Sequence, residues 1–172
     1  MLKTYKDENG FTLIEIIAIL VILGILVATA VSRSTNFDAE VYTGADALKN
    51  HLRYAQTMAM NHNPQAGETS AVWGISCNGT SYWLFQGTVG NTRMLPDDGQ
   101  FIENGTIILS RKKISIDSFT VFFDDYGIPY SSYKDPTENV LLSESDPASK
   151  IRISNGSSSK DIKVHPRTGF IP

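Results

Sequence analysis

A predominantly apolar run extends from Phe11 to Val31, and Glu15 is the one charged residue within it. About twenty apolar residues, at roughly 1.5 Å of rise each, are enough to cross the hydrocarbon core of a bilayer as a helix. A carboxylate costs roughly 3 kcal/mol near the centre of such a helix and less near its end, so it persists where a partner satisfies it. The pattern predicts a membrane-spanning helix over 11–31 whose acid needs a partner.

Beyond this run, apolar residues recur at spacings of three and four, which is typical of one stripe on an amphipathic helix. The stripe consists of Val41, Ala45, Leu48, Leu52, Ala55 and Ala59. Pro64 supplies the stop, so we expect a helix over 11–62, roughly 75 to 80 Å long if it is continuous. Thr43 and Gly44 also fit a break or a fresh helix start, and the pattern leaves both possibilities open.

After Pro64 the period changes to that of strands. The segment "AVWGISCNGTSYWLFQG" predicts a hairpin with Asn78 and Gly79 as a two-residue type I′ turn. In that register Gly74 lies opposite Trp83, whose ring could cover the glycine.

Four more segments predict strands, namely "TIILS", "FTVFF", "KIRIS" and "DIKV". Turn-rich dipeptides separate them, including Asn104-Gly105 and Asn155-Gly156. We therefore expect an α+β fold, in which the long N-terminal helix packs its amphipathic second half on an antiparallel, β-rich domain over 63–172.

Composition narrows the choice of function only slightly. The formal net charge is −3, which gives no general attraction to nucleic acid or to an anionic surface. Cys77 is the only cysteine, so the chain forms no internal disulfide. We expect it to be a small core residue in a strand, with a dimerising or reactive thiol as the alternative.

The N-terminus can be interpreted in three ways. The tripeptide Ala28-Thr29-Ala30 fits a signal-peptide cleavage site, which would release a secreted binding protein after Ala30. However, the apolar region is longer than the usual 7 to 15 residues of a signal peptide. An uncleaved signal anchor is the second interpretation, and both leave Glu15 unexplained.

The third interpretation rests on the segment "GFTLIE", residues 10–15. It resembles the processing and methylation motif of type IV pilins and type II secretion pseudopilins. The resemblance implies that residues 1–10 are a leader, that a prepilin peptidase and N-methyltransferase cleaves after Gly10, and that it methylates Phe11. It also implies that Glu15 acts in assembly, facing the new amine of a neighbouring subunit.

This resemblance also implies a location and partners. The chain would be a single-pass protein of the bacterial inner membrane with its β-rich domain in the periplasm. It would then join a fibre with other pilin or pseudopilin subunits through an inner-membrane assembly platform. The segments "LKNHLRYAQTMAMNHN", "FTVFFDDYGIPY" and "DIKVHPRTGFI" are similar to the GspH/FimT group of minor pseudopilins and minor pilins.

Residues capable of catalysis are scattered. The candidates are His51, His62, His165 and Cys77, and none lies in a recognisable catalytic, phosphate-binding or zinc motif. We predict that the protein is not an enzyme and uses no cofactor.

Acidic residues in "DDYGIPYSSYKDPTE" offer oxygen ligands without an established calcium spacing. They are Asp124, Asp125, Asp135 and Glu138. We interpret this stretch as a loop with solvated acids and predict no metal site.

A basic edge is the one feature that suggests nucleic acid. Alternation in "KIRISNGSSSKDIKVHPR" places four apolar side chains on one face and basic ones on the other. The basic edge consists of Lys150, Arg152, Lys160, Lys163 and Arg167. It could neutralise phosphates in a DNA-binding minor pilin. The alternative is a strand edge that lysines protect from pairing, and the lack of an interleaved aromatic platform favours it.

Overall fold

The computed structural model describes residues 12–61, 72–96, 102–135 and 137–172, and the side chains of residues 33–38 are not described. The chain divides into two compact units, Met1–Asn36 and Phe37–Pro172. We call the second unit the head.

Helix α1 runs through Leu13–Asn61. The described strands are β1 Trp73–Cys77, β2 Ser81–Gln86, β3 Thr92–Arg93, β4 Ile102–Glu103, β5 Thr106–Ile108, β6 Ser115–Ile116, β7 Phe119–Phe123, β8 Pro129–Asp135, β9 Glu138–Leu141, β10 Lys150–Ser154 and β11 Ser159–Lys163.

Helix α1 continues through the position where the sequence allowed a break. The Thr43 hydroxyl donates to the Ala39 carbonyl at 2.8 Å, one turn back in the same helix. Gly44 allows a close approach, because a Cβ added there would lie 2.6 Å from Cδ1 of Ile114. The glycine is therefore explained by packing and not by a helix end.

The predicted amphipathic stripe is buried. All six of its residues, from Val41 to Ala59, are no more than 1% exposed. They belong to one cluster that also contains core residues of both sheets, such as Ile75 and Ile151. Burial of this stripe holds the helix against the sheets within the head.

The described strands of the head form two antiparallel sheets. The larger one has the order β4-β5-β2-β1-β7-β8-β9, with β3 also paired to β2, and the smaller one has the order β11-β10-β6. A long N-terminal helix, apolar in its first part, and antiparallel sheets confirm the predicted α+β class.

Two of the predicted strands have the bounds that the sequence indicated, namely β7 and β10. The interpretation of "DDYGIPYSSYKDPTE" as a loop was wrong, because residues Pro129–Asp135 form β8. Its polar composition hides the strand, since most of its side chains are only partly buried. Pro129 is tolerated because it occupies the first position of the strand.

The predicted register of the first hairpin was also wrong. Gly74 lies opposite Phe85, not Trp83, because the two central residues of the turn are Gly79 and Thr80. Gly79 has a φ of +100° while Thr80 is outside the left-handed region, which fits a type II′ turn and not type I′.

The Asn78 side chain explains the shifted turn. Its Oδ1 accepts hydrogen bonds from the backbone N–H groups of Thr80 at 3.1 Å and Ser81 at 2.9 Å. Asn78 therefore closes the turn from the position just before its two central residues, as in an Asx-turn.

The close approach at Gly74 gives a stability test. A Cβ at this position would clash with the Val121 carbonyl and the Phe85 ring, so Gly74→Ala should lower the free energy of unfolding by about 3 kcal/mol. Gly90→Ala is the control, because a Cβ there meets no atom within 4 Å, and it should change stability by less than about 0.5 kcal/mol. Urea unfolding of a soluble fragment beginning at Phe37 measures both. Equal effects would contradict the assigned register.

Candidate functional site

The N-terminal end of α1 is capped by Thr12. Its Oγ1 accepts a hydrogen bond from the Glu15 backbone N–H at 3.3 Å, and its carbonyl accepts from the N–H groups of Glu15 at 3.1 Å and Ile16 at 3.2 Å. These bonds satisfy donors that the first turn of a helix leaves without partners. The sequence analysis gave Thr12 no role, although the Thr12-x-x-Glu15 spacing is that of a capping box.

Glu15 lies in the first turn of α1. The backbone N–H groups at a helix N-terminus carry partial positive charge, which stabilises a nearby carboxylate. This position is also at the end of the apolar segment and not at its centre, where a charge would cost most. The helix therefore accommodates the acid at the least unfavourable place in the segment.

The segment Leu13–Ser32 is long and apolar enough to cross a membrane, and none of it is buried within the protein. Within this segment, Thr29 Oγ1 donates to the Leu26 carbonyl at 2.9 Å, so this hydroxyl finds its partner inside the helix. Apolar side chains cover the helix on all sides, including Leu13, which is 78% exposed. A surface of this kind needs lipid or other apolar helices around it.

Gly10 and Phe11, the predicted processing residues, lie outside the described residues. Their assignment as processing residues therefore depends on the sequence alone. A comparison of the sequence with known families bears on it.

Residues 5–31 match the family model of the prokaryotic N-terminal methylation motif. Gly10, Phe11 and Glu15 all fall within the matched range. The methylation motif is typical of type IV pilin-like proteins, which are processed, N-methylated and structural, not enzymatic. It implies processing by a prepilin peptidase and assembly with other pilin-like subunits. Together with the apolar helix, it indicates membrane anchoring.

The methylation motif covers the N-terminal segment and leaves the head unassigned. No curated protein and no solved structure matches the chain significantly. What the head does must therefore be argued from its own residues.

Asp124 closes a turn in the head. Its Oδ1 accepts from the N–H groups of Tyr126 at 3.0 Å and Ile128 at 2.8 Å, and its Oδ2 accepts from the Tyr130 hydroxyl at 3.0 Å. The residue is only 8% exposed, so its interpretation as a solvated acid was wrong. Burial, and then the hydrogen bond to this carboxylate, raise the pKa of Tyr130 to about 12.

Asp135 closes a second turn. Its Oδ1 accepts from Thr137 Oγ1 at 2.6 Å and from the N–H groups of Thr137 at 2.7 Å and Glu138 at 2.8 Å. These hydrogen bonds, led by the one from the hydroxyl, lower the pKa of Asp135. Both carboxylates are thus used by turns between strands.

The basic edge has the predicted faces. Ile151, Ile153, Ile162 and Val164 are buried, whereas Lys150, Arg152 and Lys163 are exposed.

Asp161 lies within the basic edge, a residue that the sequence analysis did not weigh. Its carboxylate is 3.1 Å from Lys150 Nζ and 3.0 Å from Arg152 Nε. The hydrogen bonds from Arg152 and then Lys150 lower the pKa of Asp161. The basic edge is therefore less positive than its lysines and arginines suggested.

Two of the histidines named as candidates for catalysis take part in the packing of the head. His51 is buried, and its Nδ1 lies 2.9 Å from the Tyr82 hydroxyl. The His165 ring packs against Phe170 at a centroid distance of 5.7 Å. His62 lies outside the described residues.

Cys77 is buried in β1, as predicted. Burial raises its pKa from the ordinary 9.0 to about 11, and the thiolate is the reactive form.

At pH 8 iodoacetamide should therefore modify Cys77 in the folded chain about 100-fold more slowly than in the urea-unfolded chain. The folded-chain rate should keep rising toward pH 11. Equal rates in the two states would favour the reactive-thiol alternative.

Proposed function

We propose that this chain is a minor subunit of a type II secretion pseudopilus or a type IV pilus. The observation that carries the proposal is the methylation motif over residues 5–31. The apolar Leu13–Ser32 segment and a head in which a helix packs on antiparallel sheets support it. Assembly, and not catalysis, is the function.

The proposed life cycle has three steps. Residues 1–10 are removed as a leader, and the new amine of Phe11 is methylated. The 11–31 segment then holds the chain in the inner membrane with its β-rich domain, residues 63–172, in the periplasm. Finally, the assembly platform transfers the subunit into the fibre beside other pilin-like subunits.

Glu15 has a specific part in the third step. Cleavage leaves a positive amine at Phe11, and the carboxylate of Glu15 in one subunit can pair with that amine in the next. Removing two ions from water costs about as much as their attraction returns, so the pair contributes little net stability. The apolar surface is similar along its whole length, however, and one charge pair selects a single axial offset.

The minor, GspH/FimT-type assignment rests on the head. The order of the amphipathic helix, the tryptophan-containing hairpin and the terminal "DIKVHPRTGFI" resembles that group. Major pilins commonly close a C-terminal loop with a disulfide, which a chain with Cys77 as its only cysteine cannot form.

The mature N-terminus tests the processing step. Mass spectrometry of membranes should find a peptide that begins at methylated Phe11 in cells with a prepilin peptidase. In cells without it, the peptide should keep residues 1–10. A chain that begins at Val31 in both strains would show cleavage after Ala30 and a secreted protein, contrary to the proposal.

Removal of the acid tests the assembly step. Glu15→Ala should leave membrane insertion intact, because it deletes a polar group from the apolar segment. Incorporation into sheared fibres should fall at least about tenfold, the equivalent of 1.4 kcal/mol, because the amine of the neighbouring subunit is left without its partner. Quantitative immunoblotting of the fibre and membrane fractions gives both values. Glu144→Ala is the control, since it removes an exposed carboxylate from the head. Normal incorporation of Glu15→Ala would exclude the pairing role.

A further inference from the structure

Basic residues from two separate parts of the chain meet the beginning of the head's helical stripe. Arg111 and Lys112 line a surface cavity of about 350 Å³ together with Glu40 and Thr43 of α1. We call this region the basic end. It is defined by Tyr42, Arg111, Lys112, Lys113 and Lys160.

Lys160 reaches the same part of α1 from the smaller sheet. Its Nζ lies 5.5 Å from the centre of the Tyr42 ring, within the range of a cation–π contact. Tyr42 is 54% exposed. The basic end therefore combines lysine and arginine side chains with an exposed aromatic ring, as at membrane–water interfaces.

Chain connectivity keeps the basic end near the bilayer. Ala39, which lines the same cavity, is seven residue steps beyond Ser32, the last residue of the membrane-spanning candidate. A fully extended chain spans at most about 3.6 Å per residue, so this connection cannot exceed about 25 Å along any path. The headgroup layer itself extends about 5 to 7 Å beyond the hydrocarbon core.

Among the described residues, four basic side chains define the basic end, and two carboxylates, those of Glu40 and Glu103, lie beside it. Glu40 lines the cavity, and Glu103 lies 3.4 Å from Arg111 in a pair whose side chains are both more than half exposed. Such exposed pairs are weak and do not prevent either side chain from binding another partner. Asp46 and Asp161 line a second cavity with Lys160, and two further lysines, Lys49 and Lys163, line it as well.

We propose that the basic end binds the phosphate groups of anionic lipids in the adjoining leaflet and holds the head at the membrane surface before assembly. The inference rests on the membrane-anchored subunit proposed above. Each basic residue near an anionic surface raises the ratio of membrane-bound to free heads by a factor of roughly five. Transfer into the fibre must then break these contacts, so it depends on lipid charge and salt.

The test uses the full chain in nanodiscs of phosphatidylcholine with or without phosphatidylglycerol. A nitroxide is placed at Ser110→Cys, beside Arg111, and its relaxation by nickel chelated to the lipid headgroups is measured. Cys77 is buried and stays unlabelled. We expect strong relaxation only with phosphatidylglycerol, and its loss at high salt.

A second label position serves as the spatial control. Tyr126 is 78% exposed and precedes Gly127, whose carbonyl accepts a hydrogen bond from Gln56. Gln56 lies thirteen residues, or about 20 Å, beyond Thr43 along the helix. A nitroxide at Tyr126→Cys should therefore relax weakly in both lipid mixtures.

Charge reversal identifies the residues responsible. Lys112→Glu with Lys113→Glu should lower the ratio of membrane-bound to free heads about 25-fold or more. Lys134→Glu with Arg167→Glu makes the same change in net charge on other exposed parts of the head and should have little effect. Lys112→Gln with Lys113→Gln removes both charges without reversing them and should give an intermediate loss. This milder pair provides the test if the reversed pair disturbs the fold.

Two outcomes separate this inference from the proposed function. If the chain stays in the nanodisc after an alkaline wash but Ser110 responds equally to both lipid mixtures, the basic end does not bind lipid and the subunit proposal stands. If the wash removes the chain, the membrane-anchored subunit itself is wrong. A similar loss with both reversed pairs would also overturn the inference.

Discussion

A single helix has to satisfy two different surroundings. From Leu13 to Ser32 it is apolar on every side, whereas from Val41 to Ala59 only one stripe is apolar and buried. The backbone can cross a bilayer because each helical N–H and C=O finds its partner within the helix. The same helix continues into the head, where both sheets pack on its apolar stripe. Membrane anchoring and the core of the head therefore depend on one continuous element.

Glycine occupies two positions in the head where a neighbouring side chain leaves no room for a Cβ. Gly44 admits Ile114 against α1, and Gly74 admits the ring of Phe85 beneath the larger sheet. Phe85 also meets Phe122 edge to face, with ring centres 5.0 Å apart, in a small cluster separate from the main core. The larger sheet is thus covered by aromatic side chains on one face and by the helical stripe on the other.

The elements that the sequence predicted well are those with strong periodicity. The helical stripe, β7 and β10 carry regular apolar spacing, and burial follows it. The register of the first hairpin could not be obtained in this way. The predicted and observed pairings differ by two residues, which keeps each side chain on the same face, so alternation fits both. The side chain of Asn78 decides between them through hydrogen bonds that apolar patterning does not reveal.

Polar partners explain the other errors. Strand β8 is polar and only partly buried, so it lacks the signal that strands usually give. Asp161 neutralises part of the basic edge because the register places it opposite Arg152. For the N-terminal site, the sequence was sufficient to single out Glu15, whose charge stands alone among apolar residues. The Thr12-x-x-Glu15 spacing in the sequence also indicates the Thr12 cap.

The Thr12 cap has a consequence for maturation. The atoms that close the first turn of α1 are the hydroxyl and carbonyl oxygens of Thr12, and both lie after the proposed cleavage point. Loss of the leader would remove no acceptor from these bonds, so the helix needs no new start signal. Processing would then change the charge at the end of a helix whose first turn is already formed, and the precursor and the mature subunit would share the same cap.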